Sequence, residues 1–566
     1  MRITKAELNR LVQVAEGGEG VIYEYHGDVL KIYKKNVNIQ SKQKKVESLI
    51  SASLPSSVIA PIEPAYDEKN QFIGYTMAHV NGEEIRVLAN NKYIKANKVK
   101  LDFTLKLLVQ IHKTVNELHK QKIYIGDLND QNILFDKHGH IYFIDCDSWS
   151  IENEPCEVVM DLFRDPFLNG TNFTEDTDTY AFSILTWKVL TRIHPFGGTT
   201  NPDMNILERM KNGISVIDNP KVKIPRTVKS WKNLSPELIS NLNDIFTNKT
   251  RVLADGIEDM YANLKYCDKD QEYYYGKFNC CPLCDDSAVI KTKPVSQGTV
   301  NGLLLMKLLS DNDVYIILNE NSYIDNNNQV VNLRTMQRYA YTTGQYVYFL
   351  SSGTKVIADG KTIMFDTDKA YSVDIRQSSS VYVDGNDIYY ISPSGMLTKM
   401  TVTDKGNGIK SICRCSYRSY YAVYDGIYCV INQYDSGLII CCNGRNYEVE
   451  YTDKIVNYGI RLDSVTHKWL VIIENSSGSY ITFILGEGIE FRNDQIQYIG
   501  SLANICISNN TIYIPLDGKI RGYSPAKQLF KDFECGVVTP DSKLIKAGKQ
   551  FMIVNDENIY KLGNNS

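Results

Sequence analysis

Residues 124–147 read Tyr124-Ile125-Gly126-Asp127-Leu128-Asn129-Asp130-Gln131-Asn132-Ile133-Leu134-Phe135, and then, after a short turn, Ile141-Tyr142-Phe143-Ile144-Asp145-Cys146-Asp147. An Asp and an Asn five positions apart, followed by an Asp leaving a short apolar strand, suit phosphoryl transfer. In that chemistry Asp127 orients and deprotonates a hydroxyl, while the Asn132 amide and the Asp145 carboxylate hold Mg²⁺ (or Mn²⁺) together with the phosphates of a nucleotide such as ATP. Any one of these acids at a strand exit could be a simple turn former. Their order and separations, taken together, carry the reading.

Upstream features could complete such a site. Ala15-Glu16-Gly17-Gly18-Glu19-Gly20-Val21-Ile22-Tyr23 is a glycine-dense turn between two strand-like segments. There, backbone N–H groups can approach phosphate oxygens with no Cβ in the way. Val29-Leu30-Lys31-Ile32-Tyr33 sets a lysine inside an apolar strand. An inward-facing Lys31 needs an anionic partner to offset its desolvation; an exposed edge-strand lysine is the plain alternative. In the helix-like stretch 41–50, Glu47 stands among lysines just before an apolar face. It is either the partner of Lys31 or a solvated charge.

The elements that must position these groups show in the hydrophobic period. Strand-like segments at 21–25, 29–33 and 73–77 open the chain, and residues 101–118 carry Leu101, Leu105, Leu108, Ile111, Val115 and Leu118 at helical spacing. Further helical patterns run over 178–190 and 236–246. After Tyr275 the helical period ends. From about Asn301, short strand-like runs alternate with Gly, Asn, Asp and Ser clusters, for example at 314–318, 346–350, 388–391, 427–431, 469–473, 511–514 and 551–554. A loose phrase recurs: a polar turn, an Ile-Tyr pair, a second turn, as in GNDIYYISPSG, YDGIYCVINQYDSG, SNNTIYIPLDGK and NDENIYKLG. Self-similarity at roughly forty-residue intervals predicts repeated small antiparallel sheets in a six- or seven-bladed β-propeller, with a pair of β-sandwiches as the alternative.

Composition bounds the class. The 566 residues are 43% hydrophobic and 23% charged, with 62 Lys+Arg against 66 Asp+Glu and a net charge of −4. That length suggests three or four folded units, and the near-neutral balance argues against an electrostatically driven nucleic-acid binder. Thirteen scattered cysteines, an odd number, point to a reducing compartment. The start, MRITKAELNRLVQVAEGG, lacks the apolar centre of a signal peptide, and no run reaches the ~18 apolar residues of a membrane span. The expectation is a soluble, cytoplasmic protein with neither nucleic acid nor membrane as partner and an oligomeric state the residues leave open.

On these motifs, residues 1 to about 265 resemble the eukaryotic-like protein kinase superfamily, in a bacterial, atypical serine/threonine form. The resemblance implies a bilobal α+β fold, N-lobe 1–80 and C-lobe 81–265. It implies that Gly17, Gly18 and Gly20 form the phosphate-covering loop, that Ile22 lines the nucleotide site, that Lys31 contacts the α- and β-phosphates, and that Glu47 on a mobile helix pairs with it. Met77 falls at the gatekeeper position, and Ala78 to Val80 at the hinge that holds adenine. Asp127 matches the catalytic base, Asn132 and Asp145 the metal ligands. Asp178-Thr179-Tyr180-Ala181-Phe182-Ser183 resembles the helix whose buried aspartate supports the catalytic loop, and His194-Pro195-Phe196 and Arg251 match later landmarks. Departures stand beside the matches. Ala15 replaces the first loop glycine, and Ile125-Gly126 replaces His-Arg, which removes the arginine that senses a phosphorylated activation loop. Asn129 stands in place of a lysine, Cys146-Asp147 in place of Phe-Gly, and Phe163-Arg164-Asp165-Pro166-Phe167 only faintly echoes the substrate-platform motif.

Residues 266–294 form a cysteine-bearing linker containing Phe278-Asn279-Cys280-Cys281-Pro282-Leu283-Cys284, whose C-P-x-C turn has the shape of a zinc knuckle. Cys280, Cys281 and Cys284 are the candidate Zn²⁺ ligands, with Cys267 nearby, and Cys413 with Cys415 reachable only through folding. Thiols in a linker that bind nothing are the alternative. The all-β region 295–566 carries no cluster readable as catalytic. It is expected to recruit a protein substrate or regulator. The activity expected is Mg²⁺-dependent transfer of the γ-phosphoryl group of ATP to a Ser/Thr hydroxyl of a protein. A nucleotide-binding pseudokinase scaffold and a small-molecule phosphotransferase are the competing readings.

Overall fold

The computed structural model describes residues 1–563 except 153, 158, 249, 254–255, 285–296, 301–302, 310–313, 320, 366–371, 404–405, 499 and 548–549. The chain divides into two compact units, one comprising most of residues 1–290 and the other running from 291 onward. The segment Cys267–Cys284 belongs to the first unit, and the boundary expected at 294/295 lies outside the described residues.

The first unit opens with a five-stranded antiparallel sheet built from Gln13–Glu16, Gly20–Tyr25, Asp28–Tyr33, Pro61–Tyr66 and Phe72–Met77. The last two strands pair in reverse order, so that Asp28–Tyr33 lies between Gly20–Tyr25 and Phe72–Met77. Lys31 is thereby placed mid-strand at the centre of the sheet, opposite Ile22 on one side and Tyr75 on the other. The helix Ile39–Ser51 is capped by the Asn38 side chain on Ser41 N–H and buries Ser41, Lys42, Lys45, Val46 and Leu49. Those positions recur at helical spacing, so one face of this helix is turned inward and carries two lysines.

The helical lobe forms the largest apolar cluster. The helix Leu101–Lys120 buries all six residues of the predicted stripe. Glu175–Thr191, capped by Thr174, is buried almost all round, as a central helix must be. Pro236–Thr247 begins with Pro at its first position and the Ser235 side chain on Leu238 N–H. Two short strands, Ile133–Phe135 and Ile141–Phe143, pair antiparallel with Ile133 opposite Phe143, which brings the Asp127 loop and Asp145 to the same end of the pair.

The second unit contains seven antiparallel sheets among the described residues. Six are four-stranded meanders of consecutive strands, from Val314–Asn319 to Leu529–Glu534. The seventh has five strands and joins the two ends of the unit: Leu303–Lys307 pairs with Ile559–Gly563, Leu304 opposite Gly563. The seven strand-like runs singled out in the sequence each fall in a different sheet. No described helix is long and apolar enough to cross a membrane. All thirteen cysteines are free of disulfides.

Candidate active site

The Asp127 loop is shaped from below. Ile125 and Leu128 are buried in the large apolar cluster and anchor it. The fully buried Asp178 carboxylate accepts hydrogen bonds from Ile125 N–H and Gly126 N–H, each at 2.8 Å, and shares a third with His119 Nε2 at 3.0 Å. Gly126 has φ +70°, and a Cβ there would lie 2.7 Å from Cys156 Cβ. An arginine at 126 is therefore excluded twice, by backbone conformation and by space.

Asp127 is half-buried. Its Oδ1 accepts from Met160 N–H at 2.8 Å and its Oδ2 from Asn132 Nδ2 at 3.0 Å. Burial pushes its carboxyl up to about 6, with the backbone and side-chain hydrogen bonds working the other way. Asn129 is buried, and its side-chain oxygen accepts from Gln131 N–H and Asn132 N–H at 2.9 and 3.2 Å. It thus holds the loop closed instead of reaching outward. Ile144 N–H donates to Asn132 O at 3.0 Å, which ties the loop to the strand that delivers Asp145.

Asp145 adopts a left-handed conformation, φ 62°, and caps a short 3₁₀ turn over Cys146–Ser148. Its side chain stays 41% exposed, while that of Asp147 two residues on is fully buried. Lys31 Nζ lies 2.5 Å from Asp145 Oδ1 and 2.6 and 2.8 Å from the two oxygens of Asp147. Tyr33 Oη and Tyr75 Oη also donate to Asp147, at 2.7 and 2.6 Å. Lys42, from the inward face of the helix Ile39–Ser51, reaches the Asp147 carboxylate at 3.7 Å, its carbonyl at 3.0 Å and Glu19 Oε2 at 2.5 Å. Burial opposes the charge on Lys31, but the two aspartates override it and raise its affinity for the proton; Lys31 and Lys42 together hold Asp147 ionised despite its own burial.

The expected pairing of Lys31 with Glu47 is not what the structure forms. Glu47 lies on the exposed face, where its carboxylate accepts from Gln43 Nε2 at 2.9 Å. The reason is helical geometry: Glu47 is five residues from Lys42 and two from Lys45, about 140° and 160° around the axis from the buried stripe. Sequence reasoning missed Asp147, Lys42, Tyr33 and Tyr75 as the surroundings of Lys31. The inward spacing of 42, 45, 46 and 49 was the signal that could have found Lys42.

The remaining residues fall as follows. Gly17 and Gly18 are exposed at the hairpin tip, closed by Gly17 N–H to Gly20 O at 2.9 Å. At Gly20 a Cβ would sit 2.9 Å from Ile32 O and 3.3 Å from the Lys31 side chain, so only glycine admits the lysine stem beneath it. Ile22, Met77 and Val80 belong to one apolar cluster with Val29 and Ile144, and Ala78 is exposed just past the strand end. Lys31 thus contacts Asp145, Asn132 contacts Asp127, and the backbone bond from Ile144 to Asn132 joins the two pairs. Farther off, Arg251 grips Asp165 through two bonds of 2.6 and 2.9 Å. His194 Nε2 meets Leu162 O at 2.9 Å.

The cysteine-bearing segment makes a separate cluster. Cys267, Asp270, Cys281 and Cys284 bring one ligand atom each within 4.8 Å of one another. Cys280 lies outside this set and is exposed. Cys413 and Cys415 are not part of it.

Comparison with known proteins finds similarity over the first unit. The protein kinase domain family model matches residues 10–252. A probable serine/threonine-protein kinase of Dictyostelium discoideum is 22% identical over 211 residues, 35% of this chain and 22% of the relative. Protein kinase 2 of the same organism is 25% identical over 256 residues, 44% of this chain and 48% of its own. Serine/threonine-protein kinase 1 of Heliothis zea nuclear polyhedrosis virus is 31% identical over 104 residues, 18% and 39% of the two chains. The chain spans less than half the length of each of these relatives. Residues 10–252 are a protein kinase domain, similar at low identity to serine/threonine kinases.

Proposed function

We propose that the first unit is an active serine/threonine protein kinase that transfers the γ-phosphoryl group of ATP to a protein hydroxyl. The observation that carries this is the continuous linkage of Lys31, Asp145, Asn132 and Asp127 beside an apolar cluster that includes the expected adenine-facing residues. The donor set fits a hard divalent cation. Asp145 offers a part-exposed carboxylate, and Asn132 has its amide nitrogen engaged by Asp127, which leaves the amide oxygen as its ligand atom. Asn132 and Asp145 would hold Mg²⁺, which when bound neutralises phosphate charge. Lys31 contributes a fixed positive charge toward the nucleotide phosphates. Asp127 orients the acceptor hydroxyl and takes its proton as the oxygen bonds to the γ-phosphorus and the bond to the β,γ-bridging oxygen breaks, ADP leaving.

Two features distinguish this site from the common arrangement. Asp147 occupies the anchoring role that a helix glutamate was expected to fill, so Lys31 is fixed by the same segment that supplies Asp145. Gly126 leaves no arginine to read a phosphorylated activation segment, which suits an activity not switched by that route. The test is phosphate transfer from radiolabelled ATP by purified protein, with acid hydrolysis to identify the labelled residue. Asp127→Asn should lower turnover ~10²–10⁴-fold while ATP binding stays nearly intact. Full activity in that variant would remove Asp127 from the mechanism. No transfer to any protein by the unaltered chain, with ATP still bound, would favour the scaffold reading.

For the second unit the proposal is a seven-bladed β-propeller that recruits a protein substrate or regulator. Support comes from six consecutive four-stranded meanders and from a seventh sheet that pairs strands from both ends of the unit, a device that leaves few exposed edges.

A further inference from the structure

The strands Leu264–Cys267 and Glu272–Tyr275 form a hairpin in which Cys267 pairs with Glu272. Asp270 sits in the turn between them. A second turn follows at Cys281–Cys284, closed by Cys284 N–H to Cys281 O at 3.2 Å. The spacing is therefore Cys-x-x-Asp from one turn and Cys-x-x-Cys from the other. Two such turns facing each other are how a protein brings four ligands to one ion.

The distances suit that purpose. With Zn–S of about 2.3 Å and Zn–O of about 2.0–2.2 Å, a tetrahedral site has S···S edges of about 3.8 Å and S···O edges of about 3.5 Å. Cys267 Sγ and Cys284 Sγ are 3.5 Å apart. Asp270 Oδ2 lies 3.4 Å from Cys267 Sγ, 3.2 Å from Cys281 Sγ and 2.8 Å from Cys284 Sγ. Only the last separation must open appreciably. A carboxylate facing three thiols is chemistry that a soft-tolerant cation explains: the metal takes three thiolates and one carboxylate oxygen, and three thiol protons leave to solvent.

We propose that Cys267, Asp270, Cys281 and Cys284 form a structural Zn²⁺ site, with Asp270, not Cys280, as the fourth ligand. Four protein ligands leave no open position, so the ion does no chemistry of its own. Its work is to lock the hairpin. That hairpin is already stitched into the helical lobe: Tyr275 N–H donates to Asn233 O at 2.9 Å, Asn233 Nδ2 to Tyr273 O at 2.9 Å, and Lys229 Nζ meets Glu272 Oε2 at 2.8 Å. Glu272 also accepts from Leu101 N–H, the first residue of the long helix. The metal would fix the tip of this hairpin to the chain at 281–284. The inference stands on this cluster alone and does not depend on phosphate transfer.

The test is metal analysis of the full chain purified under reducing conditions without chelator. About one equivalent of zinc per chain is expected in the unaltered protein and in Cys280→Ser, with strong loss in Cys281→Ser. Because that variant could fail to fold, Co²⁺ substitution of the unaltered protein supplies a second readout. Tetrahedral thiolate-type visible bands are expected, and Asp270→Cys should keep the metal while shifting those bands toward an all-sulfur set. Less than ~0.2 equivalents of zinc after reconstitution overturns the site. So does a Cys267–Cys284 disulfide, seen as the loss of two hydrogens by mass, or loss of metal in Cys280→Ser.

Discussion

The substitution Asp147→Asn removes one negative charge and almost no volume from a fully buried position. In the intact protein that carboxylate accepts from Lys31, Tyr33 and Tyr75 at 2.6–2.8 Å, with Lys42 at 3.7 Å. An asparagine keeps one acceptor oxygen but must turn an NH₂ group toward at least one of these donors. Two ammonium groups would then have Asp145 and Glu19 as their remaining anionic partners, with Lys42 still on the backbone carbonyl of residue 147. Breaking one partner of a buried pair costs about 3–5 kcal/mol, and a charge-assisted hydrogen bond about 1.5–3 kcal/mol. The lobe should lose stability by an amount at the lower end of the first range, since Asp145 still holds Lys31. The functional loss should appear as a rise in KM for ATP and a fall in kcat/KM of roughly 10–100-fold, equal to about 1.4–2.8 kcal/mol at the lysine. Thermal denaturation, steady-state kinetics at varied ATP, and a double-mutant cycle with Lys31→Met provide the measurement. If Lys31 and Asp147 act as a unit, Asp147→Asn should add little in the Lys31→Met background. Glu47→Ala, on the exposed face, should stay within about two-fold of the unaltered protein, and Asp147→Glu should recover part of the loss. Asp147→Asn at full kcat/KM, with Glu47→Ala down more than ten-fold, would refute the reasoning and return the anchor to the helix.

Further outcomes are expected elsewhere. Burial holds the His194 imidazole down to about 3, and its neutral form is fully used: Nε2–H donates to Leu162 O at 2.9 Å while Nδ1 accepts from Phe196 N–H at 3.2 Å. The folded value lies below the unfolded 6.5, so its contribution is complete above 6.5 and is lost as pH falls from there toward about 3. Its share of the slope should reach ~1.4 kcal/mol per pH unit, and His194→Phe should flatten the melting temperature against pH over that window; an unchanged slope would discount the residue. A chain ending before residue 295 should keep its turnover of a generic protein substrate but lose on the order of 10²-fold in kcat/KM on a partner cross-linked to the full chain. Equal turnover of that partner would remove the recruiting role.

How much of this was legible before folding varies by element. The helix at 101–120 was readable because buried apolar residues impose a 3.6-residue period on the chain, whereas 175–191, buried almost all round, carries little such period. The seven runs in the second half were readable as strands because Gly, Asn and Asp punctuate them, as at Gly385 (φ +64°), Gly426 (φ +75°) and Asn510 (φ +57°). Glu47 was misread for a definable reason. It is the one acid in its helix, and charge sign outweighed phase; counting 100° per residue from Val46 and Leu49 turns it outward and Lys42 inward. Asp270 was not legible as a ligand because a carboxylate eleven residues upstream of Cys281 carries no motif of its own.

What the sequence by itself determined was the set of local identities: a lysine in an apolar strand, Asp127 and Asn132 five apart, an aspartate closing the next strand, and glycines at 20 and 126 where no Cβ fits. Each rests on short-range sterics, hydrophobic period or backbone conformation, which neighbouring residues fix. Only the tertiary structure decided which charges meet. Lys31 and Asp147 stand 116 residues apart in the chain, and Cys267 and Cys284 lie on different turns. A buried ion's partner is chosen by which groups share the same desolvated volume, and that volume exists only after the sheet, the helix and the hairpin have packed.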